Sequence, residues 1–313
     1  MRHRTTAAFV FLSAIWGTAF VATKVGLASL PPTLFAAMRF DIAAAVLFGF
    51  AYLRSDRLHP TSRAEWYPII TGGMLNIGVH HTFLFSGQAY IDNAAVPAVL
   101  LGLIPVITPV LTRLTASSER LSPVGLVGLV LGFTGVVIIA DPKPAALLSS
   151  DLMGVGLVLA SAVAFALGAV LTHGSKSELP FFSIQAWTML IGAVFLHATS
   201  VVLPWESFAG ARWTLDGVIS LVYLGVVAGA GGFGLYFWLL DHIGPIEASL
   251  LEYVIPVFAA IGGWIVRGNT IDTNTVIGFA VIFVGFLLVK RADVRRELVR
   301  LRERGRTAAS DAD

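Results

Sequence analysis

Cysteine is absent from the 313 residues, so a disulfide framework, thiolate catalysis and Cys-ligated zinc or iron–sulfur sites are excluded. Charge is scarce as well. Lys and Arg total 21 and Asp and Glu 19, or 13% of the chain, where a soluble domain carries about 25%. With 56% hydrophobic residues and a mean hydropathy of +0.82, so few charges could not cover the apolar surface of one soluble core. An ordinary cytosolic enzyme, a disordered chain and a nucleic-acid binder are thereby excluded. The net charge of +2 and pI near 9.0 do not argue otherwise, because the basic residues cluster in a way a membrane explains.

What is there is long apolar runs. Uncharged stretches cover Thr5–Thr23, Trp66–Ile91, Asn93–Thr112, Leu121–Ala140, Leu152–Ser175, Leu179–Trp205, Gly217–Leu240 and Thr273–Val289. A helix needs about 20 apolar residues to cross a bilayer. Two further stretches hold charges: Thr33–Leu53 with Arg39 and Asp41, and Gly244–Val266 with Glu247 and Glu252. The expected fold is an all-α integral membrane protein of ten transmembrane helices. β-barrel strands are excluded, since they would alternate over about 10 residues. The start, MRHR before an apolar stretch, resembles a signal peptide but reads as an uncleaved first helix.

Basic residues give the orientation. With ten spans both ends share a side, and sixteen Lys and Arg fall there, eight of them between Lys290 and Arg306. The other side holds three: Lys143, Arg212 and Arg267. The expectation is a multi-pass protein of the plasma or inner membrane with both termini cytoplasmic. The basic tail is either a solvated positive-inside segment or a surface helix on anionic lipid.

The chain also repeats itself near half its length. Pro32 aligns with Pro180 and Ser13-Ala14 with Ser161-Ala162 at one offset; Pro105 aligns with Pro256, Gly128 with Gly278 and Gly135 with Gly285 at offsets a few residues larger. Each half holds five spans, an odd number, so the second half enters the membrane in the opposite sense. The expectation is two inverted five-helix repeats, residues 1–140 and 141–290, followed by a basic cytoplasmic tail at 291–313. Such repeats place a substrate site near the midplane, between the halves.

These features together resemble the drug/metabolite transporter superfamily, EamA-type branch. The segments that carry the resemblance are Trp16-Gly17-Thr18, Pro32 with Arg39-Phe40, Ala94-Ala95-Val96 through Pro105 to Glu119-Arg120-Leu121, Gly128 and Gly135, Gly244 through Pro256-Val257, and Gly278 with Gly285. One departure is visible. The family often has a Gly-Glu pair at the end of span 9, and this chain has Gly268-Asn269. The resemblance implies a transporter, often an exporter of amino acids or related metabolites.

Charges inside a membrane are costly and usually face the protein interior. Arg39 lies about 9 Å below the outer surface by helical rise, with Lys24 and Asp41 in the same region. Either Asp41 neutralises Lys24 or Arg39, or one of the two cations binds a substrate carboxylate, for which the guanidinium fork is suited. Glu252 lies about 12 Å from the cytoplasmic end of span 9. It stands one turn before Pro256, which lacks an N–H. It is a proton or amine site, or a protonated carboxyl bonded to another helix.

Span 3 carries His80-His81, of which at most one is expected to face a cavity, because adjacent helical residues point about 100° apart. The polar-bearing stripe Asn76, His80, Leu84, Gln88 is the better candidate. Trp16, Trp187, Tyr236, Trp238 and Tyr253 lie too deep for an interfacial belt and are candidate lining residues or ordinary packing; Trp66, Trp205 and Trp213 read as belt residues. The string Gly229, Gly231, Gly234 matches G-x-G-x-x-G but sits in an apolar span without a βαβ unit, so it is not a nucleotide site.

The substrate-binding candidates are thus Trp16, Arg39, Asn76, His80, Trp187, Tyr236 and Tyr253. Lys24, Asp41 and Glu252 are candidates for coupling. No cofactor, metal or catalytic residue is expected. The partners are the lipid bilayer and a small molecule, with a proton as a possible co-substrate; the oligomeric state is open. With no phosphate-binding loop, ATP hydrolysis is not the drive. The leading function is a secondary transporter. The alternatives are an intramembrane enzyme, for which no histidine clusters or nucleophile motif stand out, and a non-transporting receptor or scaffold.

Overall fold

A computed structural model describes residues 2–90, 100–115, 122–140, 152–203, 206, 208–209, 211–267, 273–289 and 291. Among these residues the regular structure is entirely helical. In chain order, α1 is Arg2–Leu27 and α2 is Pro32–Arg54. Next, α3 runs through Arg63–Thr71, Gly72–Val79 and His80–Ala89. Then come α4 (Ile104–Leu114), α5 (Pro123–Ala140), α6 (Leu152–Thr172) and α7 (Phe181–Val202). α8 runs through Leu215–Tyr223, Leu224–Phe233 and Gly234–Ser249; α9 is Leu251–Arg267 and α10 is Thr273–Val289. Among the described residues, five helices are long and apolar enough to cross a membrane: Arg4–Leu27, Pro32–Arg54, Met153–Thr172, Phe181–Val202 and Leu215–Ser249. Three shorter apolar helices accompany them, at Ile104–Leu114, Pro123–Gly135 and Val276–Val289.

Local chemistry sets the helix starts. α2 and α7 both follow a proline whose backbone is extended, Pro31 (φ −54°, ψ 139°) and Pro180 (φ −54°, ψ 144°). Proline is preorganised for such a position because its φ is fixed. α3 opens with a capping box: Ser62 accepts from the Glu65 N–H while Glu65 accepts from the Ser62 N–H. α8 opens with Thr214, whose side chain accepts from the Gly217 N–H. Hydroxyl caps of this kind contribute about 1 kcal/mol each.

Two helices change register in mid-course. Gly72–Val79 in α3 and Leu224–Phe233 in α8 are π-helical, while the dihedrals stay right-handed across each junction. A π turn is rare and is found mostly at functional sites. Further along, α8 breaks at Gly244 (φ 78°, ψ 166°), a conformation closed to side-chain-bearing residues, and Pro245 starts the short turn leading to α9.

The packing is paired. α5 lies along α10 and α2 along α7, the two most extensive contacts. The other main pairings recur five helices on: α3 with α6 and α8 with α1, α3 with α7 and α8 with α2, α4 with α6 and α9 with α1. At the α5–α10 seam, a Cβ added to Gly128 would lie 2.6 Å from the Gly285 carbonyl oxygen, and one added to Gly285 would lie 2.6 Å from the Gly128 oxygen. Only small residues let backbones come so near. Gly229 and Gly232, from the G-x-G-x-x-G neighbourhood, pack against Ala43 of α2 and Trp16 of α1. Within the string itself, Gly229 is the glycine that serves helix packing.

Candidate functional site

A cavity of about 100 Å³ lies where α1, α2, α3, α6, α8 and α9 converge. Its lining comes from the C-terminal half of α1 (Trp16, Ala19, Phe20, Thr23), from Arg39 near the start of α2, and from the last part of α3 (His80, His81, Leu84, Phe85, Gln88). Leu101, Phe165, Ala228, Phe233, Glu252 and Ile255 complete it. It thus occupies the half of the bundle that faces the α1–α2 loop.

Close backbone contacts assemble it. Gly17 on α1 lets α9 approach: a Cβ there would meet Phe258 at 2.5 Å and the Ile255 carbonyl at 2.9 Å. That approach sets Glu252 and Ile255 beside Trp16. Trp16 donates its indole N–H to the Ala228 carbonyl at 3.2 Å, inside the π-helical stretch of α8. Beneath Trp16 an aromatic layer closes the cavity floor. Its ring centroid lies 5.1 Å from Phe233, 5.3 Å from Tyr236 and 6.4 Å from Phe165.

Arg39 is 7% exposed. Among the described residues it has no carboxylate partner. Its Nη2 donates to Nε2 of His81 at 2.7 Å, and its buried Nε has no hydrogen-bond partner. Its guanidinium lies 4.5 Å from the Phe40 ring centroid and 5.6 Å from that of Phe85. Ring faces attract a cation but do not repay the several kcal/mol that desolvating it costs. Glu252, on the same cavity, likewise forms no ion pair among the described residues. A guanidinium and a carboxylate thus share an aromatic-walled space, and neither has an ion-pair partner among the described residues.

Of the residues singled out in the sequence, Trp16, Arg39, His80 and Glu252 come together here. His81 joins them, against the expectation that only one histidine would face a cavity. Four-residue spacing does carry His80, Leu84 and Gln88 along the cavity, but the π turn just before His80 shifts the register, so that face does not extend back to Asn76. For the same reason Asn76 leaves the cavity: its Nδ2 donates to the Phe165 carbonyl at 2.9 Å, tying α3 to α6.

Three aromatic candidates are placed elsewhere. Trp187 donates to the Leu58 carbonyl at 2.9 Å, with its ring 5.5 Å from Trp66 and 5.4 Å from Phe48. It holds the loop between α2 and α3, and Trp66 packs on it. Tyr253 donates to the Leu129 carbonyl at 2.7 Å and joins α9 to α5. Tyr236 is buried in the layer behind Trp16, 5.2 Å from Phe165. Asp41 does not pair with Arg39. It meets His197 of α7 at 2.7 Å on the outside of the helix pair, where both side chains are nearly half exposed. The Lys24 side chain lies outside the described residues, as do Ala94-Ala95-Val96, Glu119, Gly268-Asn269 and the basic tail. Phe165 and Phe233 were not singled out in the sequence. A usable signal for Phe233 was its place directly after Gly231-Gly232, which align with His80-His81.

Long apolar helices packed around an internal cavity are the architecture of a multi-pass membrane protein. The EamA-like transporter family model matches this chain twice, at residues 4–140 and 152–291. The chain belongs to that family, within the drug/metabolite transporter superfamily, and is a multi-pass membrane transporter. It is 26% identical over 279 residues to the uncharacterized transporter YoaV of Bacillus subtilis, covering 89% of this chain and 94% of that one. It is 27% identical over 280 residues to the uncharacterized inner membrane transporter YedA of Escherichia coli K12, covering 88% and 87%. A plant relative, the chloroplastic WAT1-related protein At3g02690 of Arabidopsis thaliana, is 29% identical over 284 residues, covering 88% and 66%. A solved crystal structure superposes with a TM-score of 0.73 at 21% identity, covering 92% of this chain and 98% of that one, and speaks to the fold alone.

Proposed function

We propose that this protein is a secondary transporter that exports a small organic metabolite such as an amino acid. One observation carries the reading: Arg39 and Glu252 line the same aromatic-walled cavity, and neither has an ion-pair partner among the described residues. A zwitterion would supply both missing charges, its carboxylate to Arg39 and its ammonium to Glu252. The rings of Trp16, Phe20, Phe85, Phe165 and Phe233 suit an apolar or aromatic side chain.

The mechanism we propose is alternating access through inverted repeats, 1–140 and 141–290, with ten spans, both termini cytoplasmic and 291–313 as a basic tail. Three features support the repeat: helix pairings that recur five helices on, π turns in both α3 and α8, and proline starts in both α2 and α7. With both termini cytoplasmic, the cavity lies toward the outer side and the layer of Trp16, Phe233 and Tyr236 seals its inner side. A rocking motion would reverse that arrangement.

The test is purified protein in liposomes against a panel of amino acids, nucleosides and sugars. The expected result is flux and thermal stabilisation by a zwitterionic apolar member; no flux and no stabilisation with any of them would overturn the reading. If Glu252 couples transport to protons, Glu252→Gln abolishes the pH dependence of flux, and unchanged pH dependence removes the coupling.

A further inference from the structure

Two histidines meet the cavity, and their hydrogen bonds fix different roles. A backbone carbonyl can only accept. The contact of His81 Nδ1 with the Ile77 carbonyl at 2.9 Å therefore requires a proton on Nδ1. The contact of its Nε2 with Arg39 Nη2, at 2.7 Å, requires a lone pair on Nε2, because a guanidinium has no acceptor. His81 is therefore the neutral Nδ1–H tautomer, with both ring nitrogens engaged. His80 also donates from Nδ1, to the Ser161 carbonyl at 3.0 Å, but its Nε2 makes no hydrogen bond among the described residues.

We propose that His81 is the positioning residue of the anion site: its Nε2 lone pair holds the Arg39 guanidinium so that the remaining N–H groups can pair with a ligand carboxylate. This inference rests on the reading of Arg39 as the carboxylate site. Its physical ground is that, among the described residues, no other hydrogen bond aims the arginine. Among the described residues no carboxylate pairs with Arg39, and the rings of Phe40 and Phe85 attract a cation without fixing its rotation. The His81 ring is itself boxed in, with its centroid 4.7 Å from Phe40, 4.6 Å from His80, 5.9 Å from Phe85 and 5.9 Å from Phe233. A buried ring whose far nitrogen is tied to its own helix is a rigid acceptor, whereas an arginine held only by ring faces would rotate. A doubly protonated His81 would present a donor to a donor and release Arg39. Glu252, on α9, is the acidic group that lines the same cavity.

The test has two arms. The first needs no ligand: side-chain nitrogen NMR of histidine-labelled protein, with His81 assigned by its loss in His81→Gln. The expected result is a protonated Nδ1 and an unprotonated Nε2 whose resonance moves in Arg39→Met. A protonated Nε2, or an unmoved resonance, overturns the proposal. The second arm measures binding of L-phenylalanine and L-phenylalaninamide. Wild type is expected to prefer the carboxylate about tenfold or more, the margin of a charge-assisted pair. His81→Gln keeps that preference, because its Oε1 accepts the same N–H; His81→Leu loses it at an unchanged melting temperature. Retained preference in His81→Leu overturns the proposal, because a purely structural histidine would alter stability and leave discrimination intact. If wild type binds neither compound, the transporter substrate reading fails, while the nitrogen resonances still decide the role of His81.

Discussion

α2 and α7 lie against each other, start from matching prolines, Pro31 and Pro180, and differ eight residues further on. α2 has Arg39 there and α7 has Thr188, with Trp187 just before it. Arg39 faces an open cavity near the α1–α2 loop. Trp187 faces the opposite end of the bundle, where Leu58, Trp66 and Phe48 enclose it. Equivalent stretches of the two helices thus carry a charge awaiting a partner and an indole already satisfied. The scaffold is duplicated and the chemistry is not, so binding can be concentrated at one end while the other is closed by ordinary packing.

The largest expected effect comes from exchanging those roles. Arg39→Leu should weaken carboxylate binding about 100-fold, the scale for removing one member of a desolvated charge pair. Trp187→Phe should leave affinity in place and lower stability by about 1 kcal/mol, the worth of one hydrogen bond. Isothermal binding with thermal melts checks both, and equal losses of affinity would break the comparison.

A smaller effect separates the helices that support the pair. Gly225 on α8 faces α2, where a Cβ would stand 2.9 Å from the Arg39 carbonyl. Gly73 on α3 faces α7, where a Cβ would stand 2.9 Å from the Thr188 carbonyl. Gly225→Ala and Gly73→Ala should each cost about 1–3 kcal/mol through overpacking. Only Gly225→Ala should also weaken ligand binding, since it displaces the backbone that carries Arg39.

The smallest effect concerns the loop under Trp187. The Thr61 N–H and the Arg57 guanidinium hold the Glu65 carboxyl below the ordinary carboxylate range. A depressed folded-state pKa means that this contribution is fully present above the ordinary carboxylate value and is lost as pH falls through the depressed one. Acid should therefore loosen this end first, read as a change in tryptophan fluorescence from the Trp66–Trp187 pair. Glu65→Gln should flatten that response.

Part of this was legible in the sequence, because a charge in an apolar run announces itself. Arg39 and Glu252 could be singled out by their cost alone, and Trp16 by a depth no interfacial belt explains. The boundaries of α1, α2, α6 and α7 follow the long apolar runs for the same reason. Rotation was not legible. Trp187 and Tyr253 lie at plausible depth, yet each turns toward a carbonyl outside the cavity, Leu58 or Leu129, which no local pattern reveals. The π turn before His80 defeats a periodicity argument because it changes the period itself. Asp41 reads from spacing as a partner for Arg39, but two residues along a helix is more than half a turn, and its partner is His197.

The α5–α10 seam contributes nothing to the cavity wall. Its backbones meet at Gly128 and Gly285, too close for a side chain to come between them. A joint of that kind can turn about itself far more readily than it can part, since parting would strand helix surface without contacts. For the rocking motion proposed above, the seam would be the fulcrum, one arm in each half of the chain. Any relative movement of the halves is then smallest at those glycines and grows with distance from them.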